Sequence, residues 1–117
     1  MSIYQSENGR ILQSAVALST TAATAIVTAT IATGALTVEY VRVTEHTGGT
    51  PTLILDIYDG STAYKIKGAK ALTAHEVYTD RDPILLEPGW SLRATAGTAN
   101  LIVITALYTQ QVFAQAR

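Results

Sequence analysis

Hydrophobic residues recur along this chain in short runs, each bounded by turn residues, and nowhere with the 3.6-residue period of a helix. The clearest such region is Ile84 to Tyr108, where three apolar runs are separated by Glu87-Pro88-Gly89-Trp90 and Gly97-Thr98-Ala99-Asn100. Proline presets φ at the second position of a turn, and glycine accepts the positive φ that a type II turn requires at the third. A type II turn twists against a tight hairpin, so Ile84 to Leu86 and Ser91 to Ala96 are expected to meet at a sheet corner. Gly97 to Asn100 reads as a hairpin loop.

Upstream, Ser14 to Ser19 and Thr24 to Ile31 are dense in threonine, valine and isoleucine. These are stiff at χ1 and favour a pleated surface, which predicts two strands in spite of the interspersed alanines. Leu36 to His46 predicts a long strand whose apolar parity changes: Leu36, Val38 and Tyr40, then Val41 and Val43. A bulge near Tyr40 would explain the change and let one strand serve two sheets. A loop at Thr47 to Pro51, a strand at Thr52 to Tyr58 and a turn at Asp59-Gly60 follow. In Ala63 to Lys67, Tyr64 and Ile66 alternate with lysines as in a half-buried antiparallel strand. Gly68 to Lys70 is expected to turn the chain, Leu72 to Thr79 to form a strand, and Asp80 to Pro83 to lead into Ile84.

Eight or nine strands at this spacing predict an all-β fold, an antiparallel β-sandwich of about eight strands, with a jelly roll as the expected topology. Residues 13–109 form the sandwich domain in this reading, 1–12 an N-terminal arm and 110–117 a C-terminal tail. Leu53 to Ile57 and Leu101 to Ile104 are apolar on both faces, which calls for something to cover the second face. Phe113, beyond the last strand, gains its burial only on a neighbour.

The 117 residues suit one domain burying roughly two thirds of its unfolded surface. Charged residues make up only 15%, against ~25% on average, so much of the surface is neutral. The net charge of -1 offers no pull toward nucleic acid or anionic lipid. Without cysteine there is neither a disulfide framework nor a thiolate site. Ile11 to Val38 lacks charge, but its many Ser and Thr residues argue against a spanning helix. Glu7, Gln13 and Ser14 argue against a signal peptide, so the chain is expected to act without export.

Candidate chemistry is sparse. His46 and His75 lack the spacing of a metal site, and no Gly-x-Ser-x-Gly elbow accompanies the serines. Asp56, Asp59, Asp80 and Asp82 could gather as an acidic pair or a Ca²⁺ site, although Asp-Gly and Asp-Pro are also ordinary turn chemistry. Lys65, Lys67 and Lys70 could meet an anion, but lysines on an edge strand also discourage unwanted pairing, the favoured reading. Trp90, Tyr58, Tyr64 and Tyr78 could stack on sugar rings or simply pack at the rim. No catalytic, cofactor or metal residue is assigned.

Leu86 to Ala96, Leu-Glu-Pro-Gly-Trp-Ser-Leu-Arg-Ala-Thr-Ala, with the Gly/Ala/Asn turn and closing strand after it, resembles a family of small tailed-phage proteins. These commonly read Leu-x-Pro-Gly-Asp-x-Leu-x-Ala-x-Ala, and the upstream order is also similar: a Thr/Ala-rich strand, the Val-rich strand Leu36 to Thr44, a Gly/Thr loop, then Leu53 to Ile57. The likeness covers about Ala15 to Tyr108; Trp90 stands where the family has aspartate, and Glu45-His46 where an asparagine often ends the long strand. It implies a non-enzymatic virion structural protein of β-sandwich or jelly-roll type. Capsid decoration or cement is the leading role, with a neck or tail adaptor next. Expected partners are copies of itself and the major capsid or other head and tail proteins, neither nucleic acid nor membrane. A homo-oligomer is expected, a trimer being one arrangement, located in the virion after assembly in the host cytoplasm. Ile3, Tyr4, Trp90, Val112 and Phe113 are the expected partner contacts. The competing expectation is a carbohydrate-binding host-attachment module using Trp90.

Overall fold

The computed structural model describes residues 10–110, and these form nine strands: β1 (Arg10–Ala17), β2 (Thr24–Thr28), β3 (Leu36–Glu45), β4 (Thr52–Tyr58), β5 (Ala63–Ala71), β6 (Val77–Asp80), β7 (Ile84–Leu86), β8 (Ser91–Ala96) and β9 (Ile102–Gln110). They build two antiparallel sheets, as the apolar runs predict. One is ordered β1-β9-β3-β6 with β7 also on β3, and the other β2-β8-β4-β5. The pairs are nested: β4 with β5 innermost, then β3 with β6, β2 with β8 and β1 with β9. The chain is thus a long hairpin folded over into two layers.

Alternate side chains fill the space between the layers. Val38, Val41, Val43, Ile102, Ile104 and Ala106 come from one sheet, and Leu53, Leu55, Leu92, Ala94 and Ala96 from the other. Leu18, Leu72 and Leu86, all buried, close the ends. At ~25 cal/mol per Å² of apolar surface removed from water, this layer is the main force holding the sheets together.

Several local expectations are corrected. The parity change in β3 is indeed a bulge, between Val38 and Tyr40, but β3 stays in one sheet. The extra residue restores alternation, so Leu36, Val38, Val41, Val43 and Glu45 all face inward. β1 starts at Arg10, ahead of Ser14, because it pairs residue for residue with β9 from Arg10↔Gln110 to Ala17↔Val103. β2 stops at Thr28, short of Ile31, and Thr30 and Thr33 then bond to one another's backbone. Gly68 to Lys70 is no turn: β5 runs through it as a bulge, with Leu53 opposite Lys70 and Leu55 opposite Lys67. The turn comes later, at Leu72 to Glu76, where His75 takes a φ of 59°.

Glu87 to Trp90 is the sheet-to-sheet corner expected, with Trp90 N donating to Glu87 O at 2.9 Å and Gly89 at φ 94°. Gly97 to Asn100 is not a hairpin, because β8 and β9 lie in different sheets. Asn100 takes φ 69° and donates its amide to Leu18 O at 2.8 Å, tying this crossing to the end of β1. Gly97 donates to Thr52 O at 2.9 Å, an approach so close that a Cβ there would overlap the Thr52 side chain.

Glu45, buried at the end of β3, organises one end of the sandwich. Its carboxylate accepts the Thr47 hydroxyl at 2.7 Å, the Gly48 and Gly49 amides at 2.8 and 3.1 Å, and the His75 amide at 2.9 Å. Burial pushes this carboxyl up, but the hydrogen bonds from Thr47, His75 and Gly48 outweigh it and hold the pKa at about 2, below its ordinary 4.5. A depressed pKa stabilises the fold above the unfolded value, and that stability is lost as pH falls through 4.5 toward 2. Thermal melts should therefore show the wild-type midpoint falling through this window more steeply than that of Glu45→Gln, with Glu45→Gln the less stable at pH 7.

Candidate assembly surface

The two outward faces of the sandwich differ in chemistry. Across the sheet holding β9, register places Ala17, Val103, Thr44 and Val77 in one row and Ala15, Thr105, Arg42 and Thr79 in the next. Gln13, Leu107 and Tyr40 make a third row, and Ile11, Thr109, Thr37 and Leu85 a fourth. Two arginines lie on this face: Arg42 within the rows, its guanidinium 5.5 Å from the Tyr40 ring centre, and Arg81, just after β6, 5.6 Å from the same ring. Glu39, at the bulge, accepts the Thr109 hydroxyl at 3.2 Å. Ile11 is 56% exposed, and Val77 and Leu85 are each 58% exposed. Away from Glu39, Arg42 and Arg81 the face is therefore mostly methyl and hydroxyl.

On the opposite face charges are present and paired. Asp56 and Arg93 face one another across β4 and β8, with Nε at 2.9 Å and Nη2 at 3.3 Å from the two carboxylate oxygens. Arg93 also lies over the Tyr58 ring, 4.1 Å from its centre. The hydrogen bond to Asp56 raises the arginine pKa further. Lys65, Lys67 and Lys70 sit on β5, an edge of this sheet, as gatekeeping predicts. Lys67 and Lys70 cover the Tyr78 ring at 5.1 and 4.9 Å, and Lys70 pairs with Glu76 at 3.4 Å.

The residues that might have carried chemistry are dispersed. Asp56 is committed to Arg93, and Asp59 accepts the Ser61 and Thr62 amides at 2.9 and 2.7 Å, which lowers its pKa. Asp80 accepts the Asp82 amide at 3.0 Å. Asp80 and Asp82 do line a cleft of about 330 Å³ with Ile57, Ile66, Pro83 and Ile84, at the seam between β5 and β7. Among the described residues no three His, Asp or Glu side chains converge as a metal site. Tyr58 points out beside Arg93, whereas Tyr78 and Trp90 pack against the core and Tyr64 is 54% exposed. These aromatics make no common stacking platform. Of the expected partner contacts, Trp90 is half-buried; Ile3, Tyr4, Val112 and Phe113 lie outside the described residues.

What residue reading missed is the asymmetry between faces. Ile54 and Val103, which made β4 and β9 look apolar on both sides, are half-buried on opposite outer faces. Only the strand order shows that Val103 belongs with the neutral residues of β1 and β3, and Ile54 with a charged pair. Because Asp56 is only 5% exposed, its tie to Arg93 is shielded from water. A double-mutant cycle with Asp56→Asn and Arg93→Gln should give a coupling of about 1–3 kcal/mol, above the ~0–1 of a solvated pair; chemical denaturation measures it.

No family model matches this sequence, and no curated protein matches it. Among solved structures it is similar to a pentameric capsid protein isolated from metagenomic phage sequences, in two crystal structures, each with a TM-score of 0.50. Identity is 15% and 13%; the match covers 86% of this chain and 61% of the capsid chain in both. The CBM22-1–GH10 modules of Clostridium thermocellum endo-1,4-beta-D-xylanase 10B, complexed with xylohexaose, match at a TM-score of 0.40 and 14% identity, over 92% of this chain and 26% of that one. That second likeness is too low to carry an argument. The first places this chain's two-layered β fold beside that of a phage capsid protein.

Proposed function

We propose that this chain is a non-enzymatic structural component of a phage virion, with the wrapping of a jelly roll. The nested pairs, read outward from β4 with β5, follow the double Greek key of that topology. Within the particle the reading favours a capsid decoration or cement protein over a neck or tail adaptor. Its partners are copies of itself and a major capsid or other head protein, and it takes no cofactor.

The observation that carries this is the neutral face spanning β1, β9, β3, β6 and β7. Contacts made of methyl and hydroxyl groups do not weaken as salt rises, which suits a part of a shell exposed to varied media. Repetition over many subunits converts weak contacts of this kind into tight retention. The likeness in fold to a pentameric phage capsid protein supports the reading, as does the Pro-Gly corner at Glu87 to Trp90. The end at which Arg10 meets Gln110 is where residues 1–9 and 111–117 join the sandwich, so Ile3, Tyr4, Val112 and Phe113 are proposed to dock on neighbouring subunits from there.

Two variants test this against co-sedimentation with assembled particles. Leu107→Lys puts a charge in the centre of the neutral face, and removal of residues 111–117 takes away the tail. Each is expected to keep a melting midpoint close to wild type while incorporation falls at least about tenfold, a loss of ~1.4 kcal/mol in retention. Undiminished incorporation of both variants would overturn the proposal.

A further inference from the structure

Every open sandwich has four edges, and an edge strand presents a row of unpaired backbone groups to any other strand. Three edges here carry recognisable protection. β2 has only five residues and a bulge between Ala25 and Val27. β5 is broken by two bulges and carries Lys65, Lys67 and Lys70. The far edge of the larger sheet consists of β6, four residues long, and β7, three residues long, with Asp80, Asp82 and Pro83 in or between them.

β1 has none of these devices. It runs eight residues, in unbroken register with β9, and from Ile11 to Ala17 it holds no charge, proline or glycine. Leu18 N donates to Ile102 O at 2.9 Å, in the same register. Hydrogen-bonded pairs alternate along an antiparallel ladder, so the even-numbered residues bond to β9. Ile11, Gln13, Ala15 and Ala17 then direct their amides and carbonyls away from the sheet, where among the described residues no backbone group meets them. The same four side chains are exposed on the neutral face.

We propose that β1 pairs antiparallel with β1 of a second copy of this chain, about a two-fold axis at Ser14, joining two five-stranded sheets into one. This rests on the reading of the chain as an assembling subunit. The strand is complementary to itself in that register. Ile11 faces Ala17 of the second copy and Gln13 faces Ala15, each larger side chain opposite a small one, and all four outward-directed residues find partners in about eight new backbone hydrogen bonds. The one cation within β1, Arg10, lies at opposite ends in the two copies, so within the paired strands no like charges meet. Ser14 sits on the axis; its hydroxyl donates to Ile26 O at 2.8 Å, which ties the β2 layer beneath the joint. An isologous contact of this kind closes on itself and leaves the other surfaces free to build rings of any order.

Proline at an outward-directed position removes an amide that the folded subunit does not use, and edge strands tolerate it there. The full chain should sediment at twice its chain mass, and Ala15→Pro at the single mass with an unchanged far-ultraviolet circular dichroism spectrum. The native chain lacks cysteine, so oxidised Ser14→Cys should cross-link as a disulfide dimer and Gln13→Cys should not, since Gln13 faces Ala15 rather than itself. A monomeric wild type, a folded Ala15→Pro of undiminished mass, or association abolished by removing residues 111–117 would overturn the edge pairing. Should Ala15→Pro prove unfolded, the two cysteine variants alone decide. A monomer that still enters particles sinks the edge contact but not the virion role; a β1-linked dimer that never enters them does the reverse.

Discussion

The fold depends on the hydrogen bonding of β9 to β1 on one side and β3 on the other. β9 is a central strand near the end of the chain, and its Ile102, Ile104 and Ala106 are fully enclosed between the layers. Its partners were made long before it in chain order: Arg10 pairs with Gln110 across a hundred residues. Closing so long a loop costs entropy before any contact rewards it, so the outer pairs gain from the inner ones being in place. Burial of the alternate aliphatic side chains supplies the compensating gain.

Charged groups are buried at two places in this fold, one at an end of the sandwich and one on the outer face of the smaller sheet. Glu45 and Asp56 are the buried charged residues among those described, and each is satisfied by named partners. Glu45 receives backbone amides from two connections, after β3 and before β6, so one carboxylate sets the geometry of both. A buried charge is tolerable when several donors replace its lost water, and costly otherwise. Asp56 has the simpler solution of one guanidinium, itself lying over Tyr58.

The same architecture leaves a surface with unequal faces and unequal edges. The β4 and β8 face holds the Asp56–Arg93 pair and lysines line β5, whereas the charges of the β9 face, Glu39, Arg42 and Arg81, gather about the β3 bulge and leave the rest of that face and the β1 edge from Ile11 to Ala17 neutral. Such segregation follows from no requirement of the monomer's core, because the outer positions of both sheets are equally available to water. A protein working alone gains solubility by distributing its few charges. A largely neutral face and a neutral edge suit a subunit that meets others there, and the proposed assembly role rests on them.

From its residues alone this chain determined that it would be strands throughout, where most of them lie, that a sharp corner falls at Pro88-Gly89, and that β3 carries a bulge. Those features depend on local sterics and on alternation, which act within a few residues. Three things were decided only by the tertiary structure. Gly97 to Asn100 crosses between sheets instead of turning a hairpin, because β8 and β9 find partners in opposite layers. Gly68 to Lys70 bulges within β5 instead of turning, because β4 offers partners on both sides of it. And the neutral face exists only once β1, β9 and β3 lie side by side, since hydrogen bonds between strands join residues far apart in sequence and no local pattern specifies which strand will be the neighbour.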